Sequence, residues 1–263
     1  MLKINNLSYA FGTKQVLSNI SLDIADGSFY AVMGANGCGK TTLLRCMDNL
    51  LDIPSDTVFL DGVDIRLMKS RQRATKIAYV AQRPTTDVDF SAFEIVLMGR
   101  NPYQTHLQNE SQHDWNIVEQ CMRQTNTWHL RYSTLQQMSG GEVQRVMIAR
   151  ALAQQTPILL LDEPLASLDI SHQLEILGIL SAINHEHGKT IVLIIHDLNM
   201  ALQHCPKLIL LENQHIAYCG DTQQGLTEEN IRRVFGINPR IREIDGQQYV
   251  LISDTEQMQR PYL

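Results

Sequence analysis

The sequence predicts an α/β fold with a mixed sheet, an N-terminal antiparallel β subdomain and an inserted helical subdomain. Three observations carry that prediction. Two runs of apolar alternation flank a turn at the start. Short apolar runs then alternate with helical patterns, and over a long middle stretch the strand signal fades.

The elements follow in order. "LKINNLSYAF" and "VLSNISLDI" read as an antiparallel hairpin with "GTKQ" as its turn. "SFYAVMG" is a buried strand that stops at a glycine, and "KTTLLRCMDNLL" has helical spacing. "TVFLDGVDI" is a strand and turn, and "KIAYVAQ" a further strand. From about residue 83 to 157, "SAFEIVLMG", "QHDWNIVEQCMRQTN" and "GGEVQRVMIARALAQ" read as the helices of the insert. Strands return with "PILLLDEP" and "TIVLIIH", separated by the helix "HQLEILGILSAINHEHG". A short helix, "DLNMALQHC", precedes two strands in "KLILLENQHIAYCG". This alternation points to a parallel sheet with helices packed on it. "TEENIRRVFG" closes a main domain expected at residues 1–236, and "IREIDGQQYVLI" is a hairpin in a short β tail, 237–263.

At 263 residues, 44 % hydrophobic and 19 % charged, the chain can bury a sizeable core and has an ordinary globular composition. Its 22 basic and 28 acidic residues give a net charge of −6, which argues against a nucleic-acid partner, since that needs a basic face. No apolar run reaches the roughly 18 residues a membrane span needs. The start, "MLKINNLSYAFG", lacks the charged-then-apolar pattern of a signal peptide, so a cytoplasmic location is expected. Five cysteines, an odd number with no CxxC pair, argue against a disulfide framework or a zinc site.

The chemistry concentrates in short stretches. "GANGCGKT", residues 34–41, fits G-x-x-x-x-G-K-[ST], with a strand before it and a helix after it. Glycines let backbone N–H groups turn inward, and a helix start attracts anions. A plain glycine turn is the alternative, but both flanks favour a phosphate cradle and hence a P-loop NTPase core. Lys40 would reach the β- and γ-phosphates, Thr41 would ligate Mg²⁺, and Thr42 would back up the α-phosphate. In "ILLLDEP", Asp162 and Glu163 end a strand, where ligand groups gather in open α/β sheets. Asp162 can hold Mg²⁺ through its water shell, and Glu163 can polarise an attacking water. In "MSGGEVQRVMIARALA", Ser139 and Glu142 have the spacing of a capping box. That box leaves two glycines in a first helical turn unexplained. Their bare N–H groups would suit a γ-phosphate from another chain. His196 ends a strand on the same sheet edge as Asp162, which favours function over structure. Gln82 ends "KIAYVAQ" and is open to either reading.

Taken together, these residues resemble the nucleotide-binding subunits of ABC transporters. "GANGCGKT" is similar to the Walker A loop, "ILLLDE" to Walker B, "MSGGE" to the signature, Gln82 to the Q-loop, "SLD" to the D-loop and His196 to the switch histidine, over residues 2 to about 236. The resemblance implies ATP and Mg²⁺ as ligands. ATP would be held by Gly34, Ala35, Asn36, Gly37, Cys38, Gly39, Lys40, Thr41 and Thr42, with Phe11 stacked on adenine (Tyr9 is the alternative). Ser139, Gly140, Gly141 and Asp169 would face the nucleotide of a second, head-to-tail copy. Thr41, Gln82 and Asp162 would be the metal donors, and Glu163, His196, Gln82 and Lys40 the catalytic residues. It further implies two transmembrane permease subunits docked around the insert near residues 82–103, a periplasmic binding protein that delivers cargo, and a peripheral place on the cytoplasmic face of a bacterial inner membrane.

The chain departs from the pattern at Met138 and Glu142, where Leu and Gln are usual. Glu142 is expected to turn to its own helix N-terminus. Cys38, beside Lys40 at a helix start, is expected to have a lowered pKa. "VLMGRNPY", "SLDISHQ" and "HDLNMA" are similar to importer ATPases for iron–siderophore, haem and cobalamin, although metal-ion importers share parts of them. The alternatives are an importer ATPase for a metal ion or oxyanion, a non-transport ABC ATPase of DNA maintenance or cluster assembly, and a P-loop kinase or GTPase. DNA-maintenance types carry a coiled coil between Lys40 and Asp162, and no sustained heptads occur there. A kinase or GTPase would not need "SGGE" or His196.

Overall fold

Two sheets share the apolar residues of the N-terminal half. The computed structural model describes residues 1–82, 89–104 and 111–252. Residues 83–88 and 105–110 of the expected insert, and 253–263 of the expected tail, lie outside the described residues.

The smaller sheet contains β1 (Leu2–Phe11), β2 (Lys14–Ile24), β4 (Val58–Leu60) and β5 (Val63–Asp64), in the order β2-β1-β4-β5, all antiparallel. The hairpin is tighter than the sequence suggests. Phe11 pairs with Lys14, so the turn is Gly12-Thr13 alone and the second strand begins two residues earlier than expected. Gly12, at φ +58°, makes that short turn possible. Lys14 and Gln15 look like turn residues in sequence, yet both pair in the ladder.

The larger sheet has β3 (Phe29–Gly34), β6 (Ile77–Val80), β7 (Ile158–Leu161), β8 (Thr190–Ile194), β9 (Lys207–Glu212) and β10 (His215–Asp221), ordered β10-β9-β3-β8-β7-β6. All its pairings are parallel except β10 with β9. The inner strands are apolar except at their ends, where Thr190, Lys207 and Glu212 stand, because both faces are covered. On β3, Ala31 and Met33 join the core under the helices, while Tyr30 and Val32 join the core shared with the smaller sheet. On β7, Leu159 and Leu161 take the first side, and Ile158 and Leu160 the second.

Helices α1 (Lys40–Met47) and α2 (Ser70–Ala74) follow strands of the first half. The insert supplies α3 (Ala92–Leu97), α4 (Gln112–Gln124) and α5 (Gly140–Ala153). A buried ion pair braces it: Arg100 Nε lies 2.8 Å from Asp114 Oδ1, and Arg100 Nη1 donates to the Ala153 carbonyl at 2.7 Å. This links the turn after α3 to the start of α4 and the end of α5. The remaining helices are α6 (Ile170–His187), α7 (Leu198–His204), α8 (Thr222–Gly225) and α9 (Glu228–Phe235). Neither α2 nor α8 is expected from periodicity, since each is little more than one turn long.

The tail hairpin pairs β11 (Pro239–Ile244) with β12 (Gln247–Ile252). Asn199 on α7 meets both backbone groups of Val250, donating at 3.1 Å and accepting at 2.7 Å. No helix among the described residues is long and apolar enough to cross a membrane.

Candidate active site

Strands β3, β8, β7 and β6 lie side by side and parallel, so the residues that follow them meet on one rim. The glycine loop follows β3, Asp162 and Glu163 follow β7, and His196 and Gln82 lie two residues beyond β8 and β6. The structure thus brings together residues that are far apart in sequence.

The loop is pressed between two sheets. A Cβ on Gly34 would stand 2.5 Å from the Leu211 carbonyl of β9. One on Gly39, at φ +105°, would stand 2.8 Å from Leu17 Cδ2 of β2. No side chain larger than hydrogen fits either place without moving backbone. Lys40 is buried, and its Nζ donates to the carbonyls of Gly34 at 2.9 Å and Ala35 at 3.0 Å. Both acceptors are neutral, so the loop stores a cation that phosphate oxygens can pair.

Asp162 is fully buried and accepts from Thr41 Oγ1 at 2.8 Å and from the Tyr79 hydroxyl at 2.7 Å. Burial, and then the Asp162 carboxylate, push the Tyr79 pKa up, so its hydroxyl remains a donor. Tyr79 was not singled out by motif. Its signal is its place on β6, beside the strand that carries Asp162. Thr41 and Asp162 form a pair of hard oxygen donors, the chemistry that suits Mg²⁺. Gln82 points elsewhere: its Nε2 donates to Glu163 Oε2 at 2.5 Å. That nitrogen cannot ligate a metal, so only its amide oxygen could serve. Among the described residues, no group of three or more His, Cys, Asp or Glu could hold a metal ion.

Glu163 is held from two sides, by Gln82 on Oε2 and by His196 Nε2, 2.9 Å from Oε1. Its backbone has φ +49°, a costly conformation for a residue with a side chain, and one often found where geometry serves function.

Phe11, half exposed, lines a cleft of about 290 Å³ with Lys14, Val16, Asn36, Gly37, Gly39, Lys40, Thr41, Thr42 and Glu163. Tyr9 lies behind it, packed on the apolar core, with ring centroids 5.1 Å apart in an edge-to-face contact. Lys14 is a cleft residue that the sequence does not reveal, because there it reads as part of the turn. Ser139, Gly140, Gly141 and Asp169 do not line this cleft. Ser139 caps α5 and Glu142 turns back on it: Ser139 Oγ accepts from Glu142 N at 3.4 Å, and Glu142 Oε2 accepts from Ser139 N at 2.8 Å. Ser139 and Gly140 are exposed and Gly141 is buried, with Glu142 facing its own helix start.

Cys38 differs from expectation. Burial pushes its thiol pKa up and outweighs the opposing pull of Lys40. The thiol is tucked beneath the loop, where a Cβ on Gly34 would meet its Sγ at 2.7 Å. Since the thiolate is the nucleophile, Cys38 should react slowly with iodoacetamide at pH 7 and faster as pH rises above 9. Peptide mass spectrometry checks this; labelling at pH 7 faster than that of free glutathione would contradict it.

The chain as a whole is similar to known proteins. The family described as ABC transporter matches residues 17–166. The chain is 39 % identical over 236 residues to the ferric enterobactin transport ATP-binding protein FepC of Escherichia coli (strain K12), covering 90 % of this chain and 87 % of that one. It is 36 % identical to the petrobactin import ATP-binding protein FpuC of Bacillus anthracis, with coverage of 90 % and 87 %. It also superposes on a chain of an ABC transporter solved in an inward-facing conformation, with TM-score 0.82, 26 % identity and 95 % of each chain covered. The dimeric ATP-binding cassette MJ0796, in a post-hydrolysis state bound to ADP and Pi, gives TM-score 0.74 and 28 % identity, covering 84 % of this chain and 99 % of that one.

Proposed function

This chain belongs to the ABC transporter family of ATP-binding proteins, and on that premise we propose that it powers import of a metal chelate of the siderophore or cobalamin kind. It is an ATPase, and its relatives are named for transport of ferric enterobactin, petrobactin and cobalamin. The hydrolytic part of the reading is carried by the placement of Glu163, fixed by Gln82 and His196, in the lining of the cleft that holds Lys40 and Thr41; the cargo part is carried by the likeness to the named importers.

The residues divide the work by position. Residues 34–39 turn N–H groups to the phosphates, and Thr42 backs up the α-phosphate. Lys40 exchanges the Gly34 and Ala35 carbonyls for β- and γ-phosphate oxygens. Thr41 and Asp162 would hold Mg²⁺, with the Gln82 amide oxygen as a further donor. When bound, that ion would supply positive charge against the negative charge of the phosphates. Glu163 takes a proton from the attacking water while the water oxygen bonds to the γ-phosphorus and the bond to the β-phosphate oxygen breaks, giving ADP and phosphate. His196 steadies Glu163 and the water.

Phe11 stacks on adenine. Phe11→Ala should therefore weaken ATP binding by about 1–3 kcal/mol. Tyr9→Ala should matter less, because Tyr9 only buttresses the Phe11 ring. A nucleotide titration that ranks them the other way would overturn the assignment.

Two copies pair head to tail, each ATP lying between one chain's loop and the other's Ser139, Gly140, Gly141 and Asp169. Residues 1–236 act as the ATPase domain and 237–263 as its tail. The pair sits peripherally on the cytoplasmic face of the inner membrane, against two permease subunits that dock around residues 82–103, where Phe90 and Tyr103 are exposed. A periplasmic binding protein delivers the cargo. In proteoliposomes containing the cognate permease and binding protein, this chain should support ATP-dependent uptake of a ferric siderophore or cobalamin. Uptake of a bare metal ion or oxyanion instead, with neither chelate transported, would move the cargo assignment to another class.

A further inference from the structure

We propose that His172 is a positioning residue for ATP hydrolysis: within one chain it locks the glycine turn at residues 140–141 to the loop at residues 165–169, so that both meet the partner's nucleotide as one unit. This rests on the head-to-tail dimer proposed above.

The contact is built from both sides. A Cβ on Gly141 would lie 2.5 Å from His172 Cδ2 and 2.8 Å from Cγ, so the imidazole edge occupies the space a side chain would need. That accounts for the second glycine of the turn, which the capping box leaves unexplained. A Cβ on Gly140 would meet Leu168 Cδ2 at 3.5 Å, an ordinary contact, so the same loop also faces the first glycine.

The imidazole is not free to yield. His172 Nδ1 lies 2.8 and 2.9 Å from the two carboxylate oxygens of Asp169. A carboxylate only accepts, so Nδ1 carries the proton. Asp169 also accepts from the His172 backbone N–H at 3.0 Å and from Ser171 Oγ at 2.8 Å, capping α6. The His172 N–H, then the Ser171 hydroxyl and the imidazole, hold the Asp169 carboxyl down at about 2, so it remains an acceptor at neutral pH.

The loop itself is pinned to the same helical turn. Gln173 Nε2 donates to the carbonyls of Leu165 at 3.2 Å and Leu168 at 2.8 Å. Ser167 sits at φ +62°, a conformation that persists only where neighbours over-determine it. His172, on this same turn, also bears on the glycine pair. Losing it should leave the chain folded and its own ATP cleft intact, since it does not line that cleft. The defect should appear only when two copies close.

The test uses Glu163→Gln protein, whose ATP-driven dimer should persist, with His172→Ala or His172→Asn added. ATP affinity is measured on dilute, monomeric protein and dimer dissociation by analytical ultracentrifugation with Mg-ATP. His172→Ala should raise the dimer dissociation constant about tenfold or more while changing monomer ATP affinity less than about threefold. His172→Asn, whose amide N–H can replace the Nδ1 donor, should recover most of that loss. An Ala variant that dimerises like its parent, an Asn variant no better than Ala, or a loss of monomer affinity would each overturn the role of His172. A Glu163→Gln parent that binds ATP and stays monomeric would remove the dimer reading, and this inference with it.

Discussion

Glu163→Gln should slow ATP hydrolysis by about 10²–10⁴-fold, the usual cost of removing a general base, while ATP still binds. The amide keeps the size of the carboxylate but cannot take a proton from water at neutral pH. Its oxygen can still accept one of the two bonds that Gln82 and His196 now make to the two carboxylate oxygens. The cleft should hold its shape, because Lys40 is fixed by Gly34 and Ala35, and Thr41 by Asp162, without help from Glu163. Single-turnover kinetics on ATP-loaded protein read the chemical step directly. A Gln variant that hydrolyses at the parental rate would exclude Glu163 as the base.

Ser139→Arg should abolish steady-state hydrolysis while leaving the ATP affinity of a single chain within about threefold, a change below 1 kcal/mol. Ser139 is exposed, caps α5 and lies outside its own chain's cleft. The substitution removes the cap, which costs about 0.5–2 kcal/mol of stability. It also places a long cation where the partner's γ-phosphate and loop would approach. Ser139→Ala loses the same cap without the bulk, so it should lose far less activity than the Arg variant at equal loss of thermal stability. If Ser139→Arg instead weakens ATP binding to the monomer by tenfold or more (about 1.4 kcal/mol), Ser139 acts on its own chain's nucleotide and the paired arrangement fails.

Much of this was legible because the signals are local. The continuous apolar runs of β3, β7 and β8 follow from burial on both faces, and the loop between β3 and α1 is written in consecutive residues. Sequence order also implies that Asp162, Glu163 and His196 share a rim, once parallel strands are granted. What escaped depends on distance across the chain. Lys14 reads as a turn residue until its pairing with Phe11 is known. Tyr79 is one of several apolar residues on a strand until Asp162 is placed beside it. The expectation for Cys38 went wrong because a nearby Lys40 is visible in sequence and burial is not. Gly141 shows the same limit: the residue that demands it, His172, lies on another helix.

In the head-to-tail pair proposed above, ATP is enclosed by two copies of this chain. The most direct measurement is the solution mass of the Glu163→Gln protein by sedimentation, with and without Mg-ATP. A monomer without nucleotide and a dimer with it are expected, and adding Ser139→Arg to the same chain should return the monomer. A Glu163→Gln protein that binds ATP yet keeps the monomer mass at every concentration would contradict the head-to-tail pairing.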